Sequence, residues 1–452
     1  MSAHEPAAAP GGRRPAAAAA PAAATASAAL AALERWDSAA DFARGRAQGV
    51  VWRDGALRPA GAAAGREEYA DPFGHGCASW EYGRWTSPWV APPFTATDVV
   101  PSWSADAPDG ARLTVRLQVR DPAGALSPWY VLAHWCAGDA LVHRATVPGQ
   151  GDAHARVDVD TVTAGPAGIA AYRLAVDLAA AVRGGAPVAL AGLYAAASRA
   201  AVPGARGDGR ADWRTGGGTA SPAGIRTGPD RRTDAADAAD GRAAWGVVLD
   251  VPGRSQGAHT GHCPQWDGGG EAWAGPACTA MLVEFFGRGP DAADLAWLDP
   301  EDPAPQVDFA ARQVYDHAYK GCGNWAFNAA YPARYGLRGM VVRLLSLADL
   351  ERFVAAGVPV ATSLALRSTE LSGPGRSYTT AGNIVVVCGF TAAGDVVVND
   401  PLAADDHEVR RVYPRTAFAR VWLSGSGAGA AYLVHPPGLA LPPHPADGPP
   451  RW

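Results

Sequence analysis

The sequence predicts an α+β protein in two domains, a β-sandwich or jelly-roll-like unit followed by a mixed domain in which a short strand and a helix precede a strand hairpin. Three observations predict it. The 452 residues are too many for one core of ordinary size. Residues 81–200 alternate apolar and polar positions between Gly, Pro and Asp turns, the pattern of several short strands. Residues 201–244 are rich in Gly, Ser, Asp and Arg and nearly lack bulky apolar side chains, so they read as a flexible linker.

Residues 1–32 carry Arg13-Arg14 and an alanine run broken by Pro21. An eroded export signal and a disordered Ala/Pro leader both fit, since alanine is a weak apolar core and Glu5 interrupts the basic start. Trp36 to Tyr82 reads as short elements, with Asp71-Pro72-Phe73-Gly74 a turn. In 111–119, Leu113, Val115, Leu117 and Val119 share one face, and Arg112, Thr114, Arg116 and Gln118 the other. Further strands are predicted over 129–135, 156–162, 172–178 and 188–194, with a short helix competing over 179–182. The aromatics Trp80, Tyr82, Trp85, Trp89, Trp103, Trp129, Tyr130 and Trp135 fit core packing or a sugar-stacking groove.

The second domain, 245–440, is predicted to start with a strand over 247–252. The run after Pro276 reads as a helix ended by Gly287, with Pro276 in the first turn where its missing N–H costs nothing. Residue 274 then sits beside free backbone N–H groups, where a cysteine would be held as thiolate by those donors and the helix dipole. It is alanine. Strands over 385–390 and 395–399 flank a hairpin turn at Thr391-Ala392-Ala393-Gly394. Residue 383 then lies near Asp400, where a histidine would be oriented as a general base. It is asparagine, which cannot take a proton near neutral pH. Residues 441–452 read as a Pro-rich tail.

These segments carry a resemblance. Gly268–Met281, Tyr319–Tyr331 (Tyr-Lys-Gly-Cys-Gly-Asn-Trp-Ala-Phe-Asn-Ala-Ala-Tyr), Gly382–Pro401 and Arg410–Tyr413 are similar to the C39-like peptidases, secreted papain-like enzymes of high-GC actinobacteria. The resemblance covers most of 245–437, and the region before the linker looks like their β-rich accessory domain. The family usually has Trp-Cys-Ser/Gly-Pro where this chain has Trp273-Ala274-Gly275-Pro276. It usually has Gly-His-Leu/Ile where this chain has Gly382-Asn383-Ile384. Asn399-Asp400-Pro401 keeps the aspartate motif, and Gln256 occupies the place of the oxyanion glutamine. The resemblance implies a papain-like fold, peptide-bond cleavage in intact members, no cofactor, and export, although the weak leader leaves a cytoplasmic location open.

The expected function is therefore a degenerate peptidase domain that binds a peptide or cell-wall ligand or serves as structure. Trp273, Gly321, Gly323, Asn324 and Trp325 are candidates for a surviving groove, with core packing as the alternative. Two other readings stand beside it. One is thiol hydrolysis by a displaced nucleophile, Cys278 or Cys263; the other is glycan or cell-wall binding by the N-terminal domain. His259, His262 and Cys263 fit part of a metal site but lack a fourth ligand, so no metal is assigned. His317 and His407 stand apart from these motifs, and His407 beside Asp405, Asp406 and Glu408 reads as solvent-facing. Six cysteines without a Cys-x-x-Cys pair do not fix the redox compartment. A net charge of -5 argues against a nucleic-acid partner, Gly268-Gly269-Gly270 lacks the rest of a phosphate loop, and no stretch reads as a membrane span.

Overall fold

A computed structural model describes residues 30–199, 242–366, 371, 380–424, 428–446 and 448–452. The predicted linker thus lies almost wholly outside the described residues, as does the leader up to residue 29. The leader's last residues do not belong with it: Leu30–Trp36 is a strand, paired in register with Leu193 to Arg199. Leu33 and Trp36 are buried and anchor it.

The N-terminal unit is two seven-stranded antiparallel sheets. One is built around Asp98–Asp106 and Ala189–Arg199, the other around Ala111–Arg120, Ala171–Ala181 and Gly76–Thr86. They meet in a shared core, with Trp36 edge-on to Trp85 at 5.6 Å and Trp103 against Trp135 at 6.4 Å. Most of the aromatics singled out in the sequence are therefore core. Trp80, Trp85, Trp103, Tyr130 and Trp135 are all essentially inaccessible.

Three expectations need correction. The segment predicted as one strand over 156–162 is a hairpin, Ala155–Asp158 and Thr161–Ala164, because Val159 takes a positive φ of 55° and turns the chain. The possible helix over 179–182 is the end of the strand Ala171–Ala181, held by two neighbours whose pairing outweighs alanine's helix propensity. The polar face of Ala111–Arg120 is also covered. Arg112 is fully buried, ion-paired with Glu67 and stacked on the rings of Tyr69 and Trp80.

The second unit is a six-stranded antiparallel sheet in the order Arg338–Arg343, Ala430–His435, Val360–Leu366, Thr380–Phe390, Val396–Asn399 and Arg410–Tyr413. The helix Ala274–Phe285 packs along Thr380–Phe390. The expected opening strand over 247–252 is an extended segment touching the sheet through isolated bridges at Trp245 and Val248. A proline and a glycine, Pro252 and Gly253, end it before a ladder can form.

The two units share an interface. Arg338–Arg343 is an edge strand, and the N-terminal strand Asp98–Asp106 covers it with serines: Gly339 N–H donates to Ser104 Oγ at 2.9 Å and Val341 N–H to Ser102 Oγ at 3.0 Å. Donors that an edge leaves open are thereby satisfied. Asp98 reaches Arg343 at 3.4 Å, and Asp160 accepts the Trp325 N–H at 2.7 Å. The last residues are not a free tail. Arg451 makes a buried two-pronged pair with Asp349 at 2.8 and 3.0 Å, and Trp452 packs on Phe353. No described helix is long and apolar enough to cross a membrane.

Candidate functional site

The helix Ala274–Phe285 begins at Ala274, so residue 274 is its first helical residue rather than the one before it. The free N–H groups of the first turn surround that position as expected. Gly275 is required there by close approach: a Cβ would lie 2.9 Å from Asn328 Oδ1 and 3.0 Å from the Cys322 carbonyl. The preceding glycines do similar work. Gly268 and Gly269 hold φ of 82° and 107°, and a Cβ on Gly270 would meet the Gln256 carbonyl at 2.4 Å. This run folds the loop back onto Gln256, whose Nε2 donates to the Glu271 carbonyl at 2.7 Å. Gln256 is buried, and its Oε1 has no hydrogen-bond partner.

Across from the helix, Asn383 on Thr380–Phe390 is buried and donates through Nδ2 to Asp400 Oδ1 at 3.4 Å. Asp400 Oδ1 also accepts the Leu402 N–H at 3.0 Å, and Oδ2 accepts the Tyr413 hydroxyl at 2.7 Å. Asn399 braces the strand by donating to the Val251 and Pro252 carbonyls. The structure thus brings Gln256 into the loop leading to Ala274 and joins Asn383 to Asp400.

The thiols do not supply what Ala274 lacks. All six cysteines are free. Cys278, one turn past Ala274, is fully buried and donates to the Ile384 carbonyl at 3.2 Å. Burial, reinforced by Asp400, raises its ionisation well above that of an ordinary thiol. Cys263 is partly exposed, but burial and the negative charge of Asp308 push it up to about 11. Neither is the low-pKa thiol that nucleophilic catalysis uses.

The residues considered for a groove are mostly packing. Trp273 is fully buried and donates Nε1 to the Trp266 carbonyl at 2.8 Å. Asn324 is buried, caps the helix Trp325–Ala330 through the Phe327 N–H, and donates to Asp316. Gly321 is buried and Trp325 is held between Arg343 and the N-terminal unit; Gly323 alone of the five is exposed. The segment resembles a groove wall in sequence because a tight, small-residue loop beside an aromatic serves packing equally well. His407 is exposed, as expected, next to Asp405, which caps a short turn.

Sequence reasoning missed two carboxylates. His259 and His262 lie beside Asp302 and Asp308, from the turn before the helix Pro305–Val314 and from its first turn. His259 Nδ1 is 2.5 Å from Asp308 Oδ2 and 3.7 Å from Asp302 Oδ1; His262 Nδ1 is 3.3 Å from Asp308 Oδ1 and 3.7 Å from Asp302 Oδ2. Burial raises the Asp302 carboxyl. It would raise Asp308 too, but the imidazole of His259 reverses the direction. In sequence, Asp308 passes for a helix-dipole acid and Asp302 for one of several acids in a Pro-rich loop, about forty residues from the histidines.

A cavity of about 670 Å³ lies elsewhere, in the N-terminal unit, lined by Arg44, Arg46, Arg84, Arg116, Arg173 and Trp129 among others. Arg173 is sandwiched over Trp89 and Trp129 at 4.7 and 4.9 Å.

Residues 248–429 match the Peptidase_C39 like family, and residues 32–198 match the peptidase C39 N-terminal domain. The chain belongs to the C39-like peptidase family. The two matches leave residues 199–247 of this C39-like protein between them. No protein of curated function matches it. Among solved structures, a carbohydrate-binding module of the β-sandwich superfamily matches at 7% identity over 37% of this chain and 56% of its own, with a TM-score of 0.14. The C-terminal family 22 carbohydrate-binding module of Clostridium thermocellum Xyn10B matches at 11% identity over 35% and 87%, with a TM-score of 0.12. Similarity at that level carries no argument about fold or ligand.

Proposed function

We propose that this C39-like protein is catalytically degenerate, and that its papain-like domain holds a peptide or cell-wall ligand, or the accessory domain itself, without hydrolysis. One observation carries the reading: the helix start and the aspartate-bearing hairpin are in place, but they present Ala274 and an Asn383 amide bonded to Asp400. An enzyme of this type needs a nucleophile and a base within reach of each other. Alanine supplies no nucleophile and a carboxamide no base. The buried Cys278 and the raised thiol of Cys263 leave the displaced-nucleophile reading without support.

The test is hydrolysis of a peptide library by the purified chain beside the Ala274→Cys, Asn383→His double variant. A silent parent and a cleaving double variant support the proposal and a surviving groove. A parent that cleaves, and stops when Cys278 or Cys263 is replaced, overturns it.

The arginine- and tryptophan-lined cavity favours a second reading, recognition of an acidic glycan by the N-terminal unit. Retention of the chain on acidic but not neutral glycans, abolished by Trp129→Ala, would support it; equal retention on both would count against it.

A further inference from the structure

We propose that His259, His262, Asp302 and Asp308 form a binding site for one divalent cation of the zinc class. Four donor atoms, one from each residue, lie within 4.8 Å of one another. Ligands about 2.0–2.1 Å from a tetrahedral centre stand roughly 3.3 Å apart. The His262 Nδ1–Asp308 Oδ1 separation of 3.3 Å matches that edge; the two 3.7 Å separations reach Asp302 through its two different oxygens, and the 2.5 Å approach of His259 to Asp308 Oδ2 is shorter than an edge, so a bound ion requires that pair to spread.

A buried histidine–aspartate ion pair is the competing account, and the contacts oppose it. His259 is fully buried, yet neither ring nitrogen has a hydrogen-bond partner, nor does Asp308 Oδ2. The 2.5 Å approach of Nδ1 to Oδ2 therefore lacks hydrogen-bond geometry. A fully buried ring without a hydrogen-bond partner needs another partner, and an ion between these residues would supply one. The charge also fits. Two carboxylate side chains, each 1% exposed, face two imidazoles, and a dication neutralises the pair without protonating either ring. A second cluster, Asp71, His75 and His143, lacks this signature: His143 is bonded to Asp71 at 2.6 Å and His75 to the Asp139 carbonyl.

Two imidazoles with two carboxylates suit a borderline ion such as zinc better than calcium or magnesium, which take oxygen ligands. With four protein ligands the site is closed, which assigns it a structural role. Its ion would clip the loop from Gln256 to Trp273 onto the helix Pro305–Val314. The inference is independent of whether the domain that holds the site binds a peptide.

The experiment uses the full chain, produced without a histidine tag, stripped with chelator and titrated with zinc ion under competition. Melting is recorded with and without zinc. His262→Ala is the first variant, because its ring is 36% exposed and its removal leaves the core intact; Asp302→Asn is the second. The expected result is one equivalent of zinc, bound at least ~100-fold more weakly by both variants, beyond what loss of an outer-shell partner costs. The melting temperature of the parent rises with zinc, and that of the variants does not. Cobalt(II) gives the parent, and not the variants, the visible absorption of a four-coordinate site. Zinc affinity or thermal response equal in parent and variants overturns the proposal, as does preference for calcium over zinc. Should one variant not fold, the other and the cobalt spectrum decide.

Discussion

The two ends of the segment from Gln256 to Trp273 make opposite use of buried polar chemistry. At one end, Ala274 and Asn383 stand in a frame whose supports are intact: Asp400 keeps three donors, and Gly275 still admits the close approach of Asn328. At the other, His259, His262, Asp302 and Asp308 hold reactive groups close together in a place where the family motifs assign nothing. The frame is legible in sequence from its motif neighbours, whereas the cluster shows only its histidines there and gains its carboxylates in three dimensions. Architecture and chemistry can therefore be retained independently within one loop and helix.

The largest expected effect breaks the comparison by giving the frame its chemistry back. Ala274→Cys and Asn383→His alone should stay silent, while the double variant should turn over peptide at least ~10³-fold faster than either, because triad members act as a unit. Single variants with full activity would mean that the frame was never degenerate in the way described.

Removing the frame's anchor should be felt in stability. Asp400→Ala leaves the Tyr413 hydroxyl, the Leu402 N–H and the Asn383 amide without their acceptor, at a cost of about 2–4 kcal/mol in chemical denaturation. A neutral result would show that the frame is no longer under structural constraint. As a reference outside both regions, Ser102→Ala with Ser104→Ala strips the acceptors from two buried N–H groups and should cost about 1–3 kcal/mol.

Acidification tests burial within the N-terminal unit, at His134, and at the seam between the units, at His317. Burial, with Arg112 and Arg116 adding, pushes His134 down to about 3; burial, with His143 and Arg144 adding, does the same to His317. A histidine whose folded pKa lies below its unfolded value near 6.5 contributes no penalty above that pH. The unfolded chain takes up its proton first as pH falls, so stability should decline from about 6.5 toward 3. His134→Gln and His317→Gln should flatten that slope in melts across the range.

The smallest effect is in thiol labelling of the native chain. Cys77 should react readily and Cys263 slowly, while Cys136, Cys278, Cys322 and Cys388 should react only on denaturation. Rapid native labelling of Cys278 would reopen the displaced nucleophile.

Local patterns carried much of this into the sequence. The alternation around Leu113 to Val119 became a strand, and the hairpin at Thr391 to Gly394 formed where its glycine placed it. Pro276 and Gly275 marked a helix start within a few residues. What stayed illegible was set by distant partners. Arg112 read only as one residue of a polar strand face until Glu67, Tyr69 and Trp80 surrounded it. Ala179 looked helical until two strands flanked it. Arg451 and Trp452 looked like loose chain until Asp349 and Phe353 received them. The same holds for the site: Ala274 and Asn383 were readable from motif neighbours, whereas Asp302 and Asp308 acquire meaning only beside the histidines.

The serine cover on Arg338–Arg343 has a consequence for anyone cutting this protein in two. Released from Ser102 and Ser104, that strand would offer a row of open donors and acceptors to whatever extended chain it met first. The second unit made alone would then find its own copies, joining edge to edge into dimers or fibrils. On that expectation the first unit would act as a cap on the edge, and a cleavable linker placed between 201 and 241 would start that assembly on demand.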